Sequence, residues 1–241
     1  MSGLHALATG FYTVPEAARL IRVGSARRIY GWLRGYPSRD IGPLLSRDYQ
    51  PIGDEEEVSF LDLMEIRFVM FFREKGVKIA SLRKASDSLR KEFSTNHPFA
   101  LSKVLLKADK VDIYVVEILK KSAIELGDVR LRSLVTNNYV MEEIIRQSIL
   151  PGVEFDTSTS LAKAWKPIPD SFPDIVANPR RAFGQPTIGA GVPTGTLYGA
   201  WKTEHQNSDV VADWYGVSAR EVMDAVRFEQ ALDEFASRRA A

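Results

Sequence analysis

Cysteine is absent from the 241 residues, which removes disulfide frameworks, cysteine zinc sites, thiol nucleophiles and iron–sulfur clusters together. Histidine is scarce: His5, His97 and His205 stand far apart, so histidine-rich metal sites and HExxH-type hydrolases are not expected. The first ten residues hold no basic region ahead of an apolar stretch, and no signal peptide is expected. Long apolar runs are lacking too. The most apolar stretch, Phe60 to Phe72, is broken by Asp62, Glu65 and Arg67 and falls short of the roughly 20 residues a membrane span needs. These absences lead to the expectation of a soluble, cytoplasmic protein with no membrane partner, no metal and no cofactor. Glycines at 184, 189, 191 and 195 form no phosphate loop, because Pro186 and Pro193 interrupt them and no GxxxxGK[ST] or GxGxxG is present. The acidic run from Asp54 to Glu57 reads as solvated, His97 before Pro98 as structural, and His205 as a favourable residue at a helix end. No catalytic constellation emerges, and the chain is not expected to be an enzyme.

Charge of one sign is also in short supply, with a formal net charge of +1, but its distribution is uneven. Met1 to Arg47 carries seven arginines against Glu16 and Asp40, a net +5, whereas Ser171 to Ala241 has a net charge of −2. A basic head on a nearly neutral chain suits a polyanion partner.

What is present is mostly helical punctuation. Thr13-Val14-Pro15-Glu16 forms a capping box, Gly24 allows a turn, and Ser25 opens a second helix in which Ile29, Trp32 and Leu33 repeat at helical spacing until Gly35. Two short helices around a tight turn make a helix-turn-helix, whose second helix presents its N-terminal residues to the major groove. Arg22, Ser25, Arg27, Arg28 and Tyr30 lie at the turn and the start of that helix. Arg34, Arg39 and Arg47 extend the basic surface into a wing between Tyr36 and Val58, and all eight are the candidate DNA contacts. Helices are then expected at Phe60 to Glu74 and Ile79 to Phe93. A β-hairpin is expected about Ala108-Asp109-Lys110, a helix at Tyr139 to Ser148, and an irregular, proline-rich stretch from Pro151 to Pro179. Further helices follow from Thr194 to about His205, from Asp209 to Tyr215 behind a Ser208 cap, and after a second capping box at Ser218 and Glu221. Carboxylates crowd this last part, which therefore reads as contacting protein, not phosphate. The fold expected is α+β and mainly helical: an N-terminal winged helix-turn-helix (residues 1–98), a β-containing middle region and linker (99–170) and a C-terminal helical domain (171–241).

Phe11 to Tyr36 followed by Ser59 to Ala85 resembles the N-terminal half of MerR-like winged helix-turn-helix proteins. Asn178-Pro179, Gly184-Gln185-Pro186, Val192-Pro193-Thr194 and Tyr215-Gly216-Val217-Ser218 are similar to the helical domain-of-unknown-function family 433 found in VapB-type antitoxins. Gly189-Ala190-Gly191 departs from the Gly-Thr-Arg-like stretch of many relatives. The resemblance implies an antitoxin of a type II toxin–antitoxin pair that neutralises a PIN-like ribonuclease and represses its own operon by binding operator DNA as a homodimer or a larger hetero-oligomer. Since a PIN-like active site is a cluster of metal-holding carboxylates, the resemblance also makes Arg238 and Arg239 candidate toxin contacts. The alternative is a ligand-responsive MerR-like regulator without a toxin partner.

Overall fold

The computed structural model describes residues 8–50, 56–102, 121, 124–128 and 150–238. The hairpin expected about residue 109 and the helix expected at 139–148 lie outside the described residues. Helices dominate an α+β fold in two compact units, one formed by residues 1–27, 51–60 and 163–241 and the other by 28–50 and 61–162.

In the first unit, β1 (Tyr12–Thr13) pairs antiparallel with β2 (Glu57–Val58) and leads into α1 (Val14–Leu20). The capping box is formed as the sequence predicts, with Thr13 and Glu16 each bonding the other's backbone N–H. The turn after α1 differs from expectation. Its left-handed residue is Arg22 (φ 58°), not Gly24, and Val23 N–H bonds the Ala18 carbonyl in a Schellman closure. The proline-rich stretch is more regular than expected. It contributes β3 (Ala162–Trp165) and β4 (Val176–Ala177), which pair antiparallel, and β5 (Pro186–Thr187) pairs with β4. The prolines of that stretch all sit outside the strands, and Pro186, beyond it, opens a strand, where the missing N–H is tolerated. Three helices complete the unit: α5 (Thr194–Thr203), α6 (Ser208–Tyr215) and α7 (Ala219–Arg238). Asn207, not Ser208, caps α6, its Oδ1 accepting from Asp209 and Val210 N–H. Asn competes well for that role because its carbonyl reaches two orphan donors. The Ser218–Glu221 capping box forms as expected. On α7, Val222, Ala225, Val226 and Leu232 are all buried, the 3.6-residue stripe read from the sequence. Phe228 lies edge-on to Phe172, with ring centroids 5.6 Å apart.

Tyr12 and Gly184 hold β1 within this unit. The Tyr12 hydroxyl donates to the Gly184 carbonyl at 2.5 Å, and Phe11 N–H donates to the Phe183 carbonyl. Gly184 is at φ +90°, and a Cβ there would fall 2.4 Å from the Tyr12 hydroxyl, so only glycine fits.

In the second unit, α2 (Arg27–Arg34) buries Ile29, Trp32 and Leu33, and α4 (Ile79–Phe93) buries Leu82, Ala85 and Leu89. Between them in the chain runs α3 (Phe60–Glu74), buried at Leu63, Ile66, Phe68, Val69 and Phe72. Phe68 stacks on Phe99 at 4.1 Å and tilts against Phe72 at 4.7 Å. The segment expected as a wing is tied down by backbone bonds. Tyr36 and Ile41 form a bridge, Leu44 N–H donates to the Trp32 carbonyl, and Arg83 and Arg90 donate to carbonyls of residues 42–44. Asp128 caps α4, accepting from Lys78 N–H and the Ser81 hydroxyl. No helix among the described residues is long and apolar enough to cross a membrane.

Candidate nucleic-acid interface and a buried carboxylate–histidine cluster

Helix α2 separates its residues sharply by face. Ile29, Trp32 and Leu33 point inward, while Arg27, Arg28 and Arg34 are exposed. Ser25 is exposed and its hydroxyl accepts from Arg27 N–H at 3.3 Å, capping the helix start. Tyr30 is half-buried under the Arg34 guanidinium, which sits 5.2 Å from the ring centroid and is thereby held against the helix. Arg39 ends the short 3₁₀ turn Pro37–Arg39, and Arg47 is half-buried.

Arg22 takes a different position. Its guanidinium lies 5.5 Å from the centre of the Phe235 ring and donates to the Pro167 carbonyl, and burial lowers its pKa below the usual arginine value. Arg19, which was not among the candidates, is committed further. It bonds the Glu229 carboxylate at 2.6 Å, the Glu229 carbonyl at 3.0 Å and Asp233 at 2.7 and 2.9 Å. Burial opposes its charge, but the two carboxylates outweigh that and raise its pKa. The Thr194 hydroxyl donates to the other Glu229 oxygen, so this buried carboxylate is held from both sides. A cavity of about 300 Å³ opens beside the clamp, lined in part by Tyr12, Glu16, Gln185 and Thr196. Its most polar groups are already bonded within the unit. Arg238 ends α7, and Arg239 lies outside the described residues.

In the second unit, three carboxylates converge on His97. Asp62 and Glu65 stand three apart near the start of α3, fully buried, on a helix whose other buried residues are apolar. His97 precedes the 3₁₀ turn Pro98–Ala100, its backbone N–H held by the Thr95 hydroxyl. Nε2 meets Asp48 at 3.0 Å, while Nδ1 lies 3.4 Å from Glu65 Oε2 and 3.6 Å from Asp62 Oδ1. The other Glu65 oxygen accepts from Phe99 N–H at 3.1 Å. Burial disfavours the imidazolium, yet Asp48 and Glu65 overcome it and push the His97 pKa up to about 10. Sequence reasoning set His97 aside as structural. The missed signal was a pair of carboxylates, three residues apart, inside the most apolar helix of the chain, where an acid needs a partner.

No protein-family model matches the chain. It is 26% identical over 226 residues to a Mycobacterium tuberculosis protein named "Putative antitoxin VapB45", covering 89% of this chain and 92% of that one. It is 28% identical over 240 residues to the uncharacterized protein Rv2308 of the same organism, covering 90% and 89% respectively. The crystal structure of Rv2018 from M. tuberculosis superposes with a TM-score of 0.63 at 24% identity, over 89% of this chain and 96% of that one. Over nearly its whole length, then, the chain is similar to a protein named as an antitoxin, and it shares the fold of Rv2018.

Proposed function

We propose that this chain is the antitoxin of a type II toxin–antitoxin pair, which neutralises a PIN-like ribonuclease and represses its own operon by binding operator DNA. The observation that carries the reading is α2, a helix with an apolar inner face and with Arg27, Arg28 and Arg34 exposed, combined with full-length similarity to a protein named as an antitoxin. Arg27 and Arg28 begin the helix, where guanidinium groups reach phosphates and guanine edges if α2 is the recognition helix of a winged helix-turn-helix. A dimer then contacts half-sites one or two helical turns apart.

The toxin contact is assigned to the C-terminal part. Trp214 is 62% exposed and Tyr215 37%, and aromatic side chains of this kind anchor protein interfaces. Arg238 and Arg239 supply guanidinium groups that can grip metal-binding carboxylates with two hydrogen bonds.

One co-expression experiment tests the reading. The chain is produced with the nuclease encoded beside it, the complex is purified, and RNA cleavage and gel shift of the upstream DNA are measured in parallel. Inhibited cleavage and a shifted operator fragment support it, and the deletion of residues 237–241 restores cleavage if the arginine pair enters the toxin site. A chain that binds no neighbouring protein and shifts only on adding a metabolite would instead fit a ligand-responsive regulator.

A further inference from the structure

We propose that Asp62, Glu65 and His97 form a binding site for one divalent cation of the zinc class, with Asp48 as the carboxylate that orients the histidine. The proposal is independent of the antitoxin reading, because it rests on the interior of one unit.

The distances carry the argument. Charge-assisted N–H···O bonds settle at about 2.7–2.9 Å, yet His97 Nδ1 stays 3.4 Å from Glu65 Oε2 and 3.6 Å from Asp62 Oδ1. Two ligands on a tetrahedral ion with bonds of about 2.0–2.1 Å stand roughly 3.3–3.4 Å apart. The separations observed are therefore long for hydrogen bonds and close to those of ligands around a shared ion. His97 Nδ1 and Glu65 Oε2 are both fully enclosed, and neither has a hydrogen-bond partner. Ligand atoms of Asp48, Asp62 and His97 lie within 4.8 Å of one another, so Asp48 belongs to the same cluster as the carboxylate on the far side of the ring.

The histidine tautomer strengthens this. Nε2 faces Asp48 at 3.0 Å, so the proton on that nitrogen is donated to the carboxylate. Without a metal the Nδ1 proton faces the two buried carboxylates; a divalent cation would displace that proton and take the Nδ1 lone pair together with the two carboxylates. A ligating imidazole whose other N–H is held by a carboxylate is the recurrent arrangement around protein-bound zinc. Glu65 is held in turn, since its Oε1 accepts from Phe99 N–H while Oε2 faces the histidine. One imidazole and two carboxylates suit zinc-like ions better than Mg²⁺ or Ca²⁺, which prefer all-oxygen sets, and a solvent molecule completes the four ligands. Such an ion would tie the start of α3 to the turn at His97 and, through Asp48, to the segment after Leu44–Leu45.

The test uses the full chain, freed of metal with a chelator and titrated with Co²⁺ and then Zn²⁺. One Co²⁺ per chain is expected, with the intense visible absorption of a tetrahedral ion, displaced by one equivalent of Zn²⁺. Zn²⁺ should raise the unfolding midpoint of the wild type. Glu65→Gln keeps an oxygen for Phe99 N–H and should fold, while losing Co²⁺ affinity at least about tenfold and with it the absorption. Asp48→Asn should weaken binding by about 10–100-fold with the tetrahedral spectrum retained at saturation. The proposal is overturned if the folded wild type binds no Co²⁺, if it gives only a weak octahedral spectrum, or if Glu65→Gln binds Co²⁺ as the wild type does. In each of those cases the cluster is a buried imidazolium paired with carboxylates. Circular dichroism of each variant establishes that the fold is intact, and His97→Gln serves as a second variant if one of the others fails to fold.

Discussion

Arg19 and Arg22 at the end of α1, and Arg27 and Arg28 at the start of α2, are close in sequence and carry the same guanidinium. Their surroundings differ in every respect. Arg19 is closed into a clamp with Glu229 and Asp233, and Arg22 rests on Phe235, whereas Arg27 and Arg28 face solvent. The comparison teaches that net positive charge in a segment overstates what a polyanion can reach. Of the +5 counted over residues 1–47, part is committed inside the fold, and the guanidinium groups of Arg27, Arg28 and Arg34 on α2 are exposed.

Substitutions along this series should sort by that difference. The largest loss is expected for Arg19→Ala, which leaves the buried Glu229 carboxylate facing only the Thr194 hydroxyl. Denaturant unfolding should show about 3 kcal/mol of destabilisation, as when one member of a buried ion pair is removed, whereas Asp233→Asn, at an exposed partner, should cost under about 1 kcal/mol. An Arg19→Ala protein as stable as the wild type would reduce the clamp to a surface contact. Gly184→Ala should come next, at about 2 kcal/mol, because a Cβ meets the Tyr12 hydroxyl at a left-handed backbone position. That effect should shrink when Tyr12→Phe removes the hydroxyl, a coupling readable in a double-mutant cycle. Arg22→Ala should cost about 1 kcal/mol through loss of the Phe235 contact. Arg22→Gly should cost less, since glycine relieves the φ of 58° at that position. Smallest in stability are Arg27→Ala and Arg28→Ala, within about 0.5 kcal/mol of wild type. In the proposed operator binding the order should reverse, with each of these two lowering the salt slope by about 1 where a phosphate contact is lost. Equal operator affinity in both would shift recognition away from the start of α2.

Local features of the fold were legible in the sequence. The two capping boxes, the bounds of α3 and α4 and the buried stripe of α7 all follow from signals a few residues long, and the structure bears them out. The exposed arginines of α2 were legible for the same reason, since helical spacing alone puts Ile29, Trp32 and Leu33 on the opposite face. Choices between neighbours were less so. Asn207 outcompetes Ser208 as a cap, and the turn expected at Gly24 has its left-handed residue at Arg22, whose side chain contacts Pro167 and Phe235. What depends on distant partners was not legible at all. The Arg19 clamp joins residues some two hundred positions apart, and the His97 cluster draws its carboxylates from two other segments, so no window of sequence contains either.

That clamp has a consequence for biosynthesis. With Tyr12 bonded to Gly184 and Arg19 to Glu229 and Asp233, the first unit is assembled from the early and late parts of the translated chain. The N-terminal strand and helix leave the ribosome long before their partners do, and loop closure over so many residues cannot be completed until translation has passed Asp233. Until α7 has been made the early segment lacks these partners, so a chain that stops before α7 cannot close the clamp.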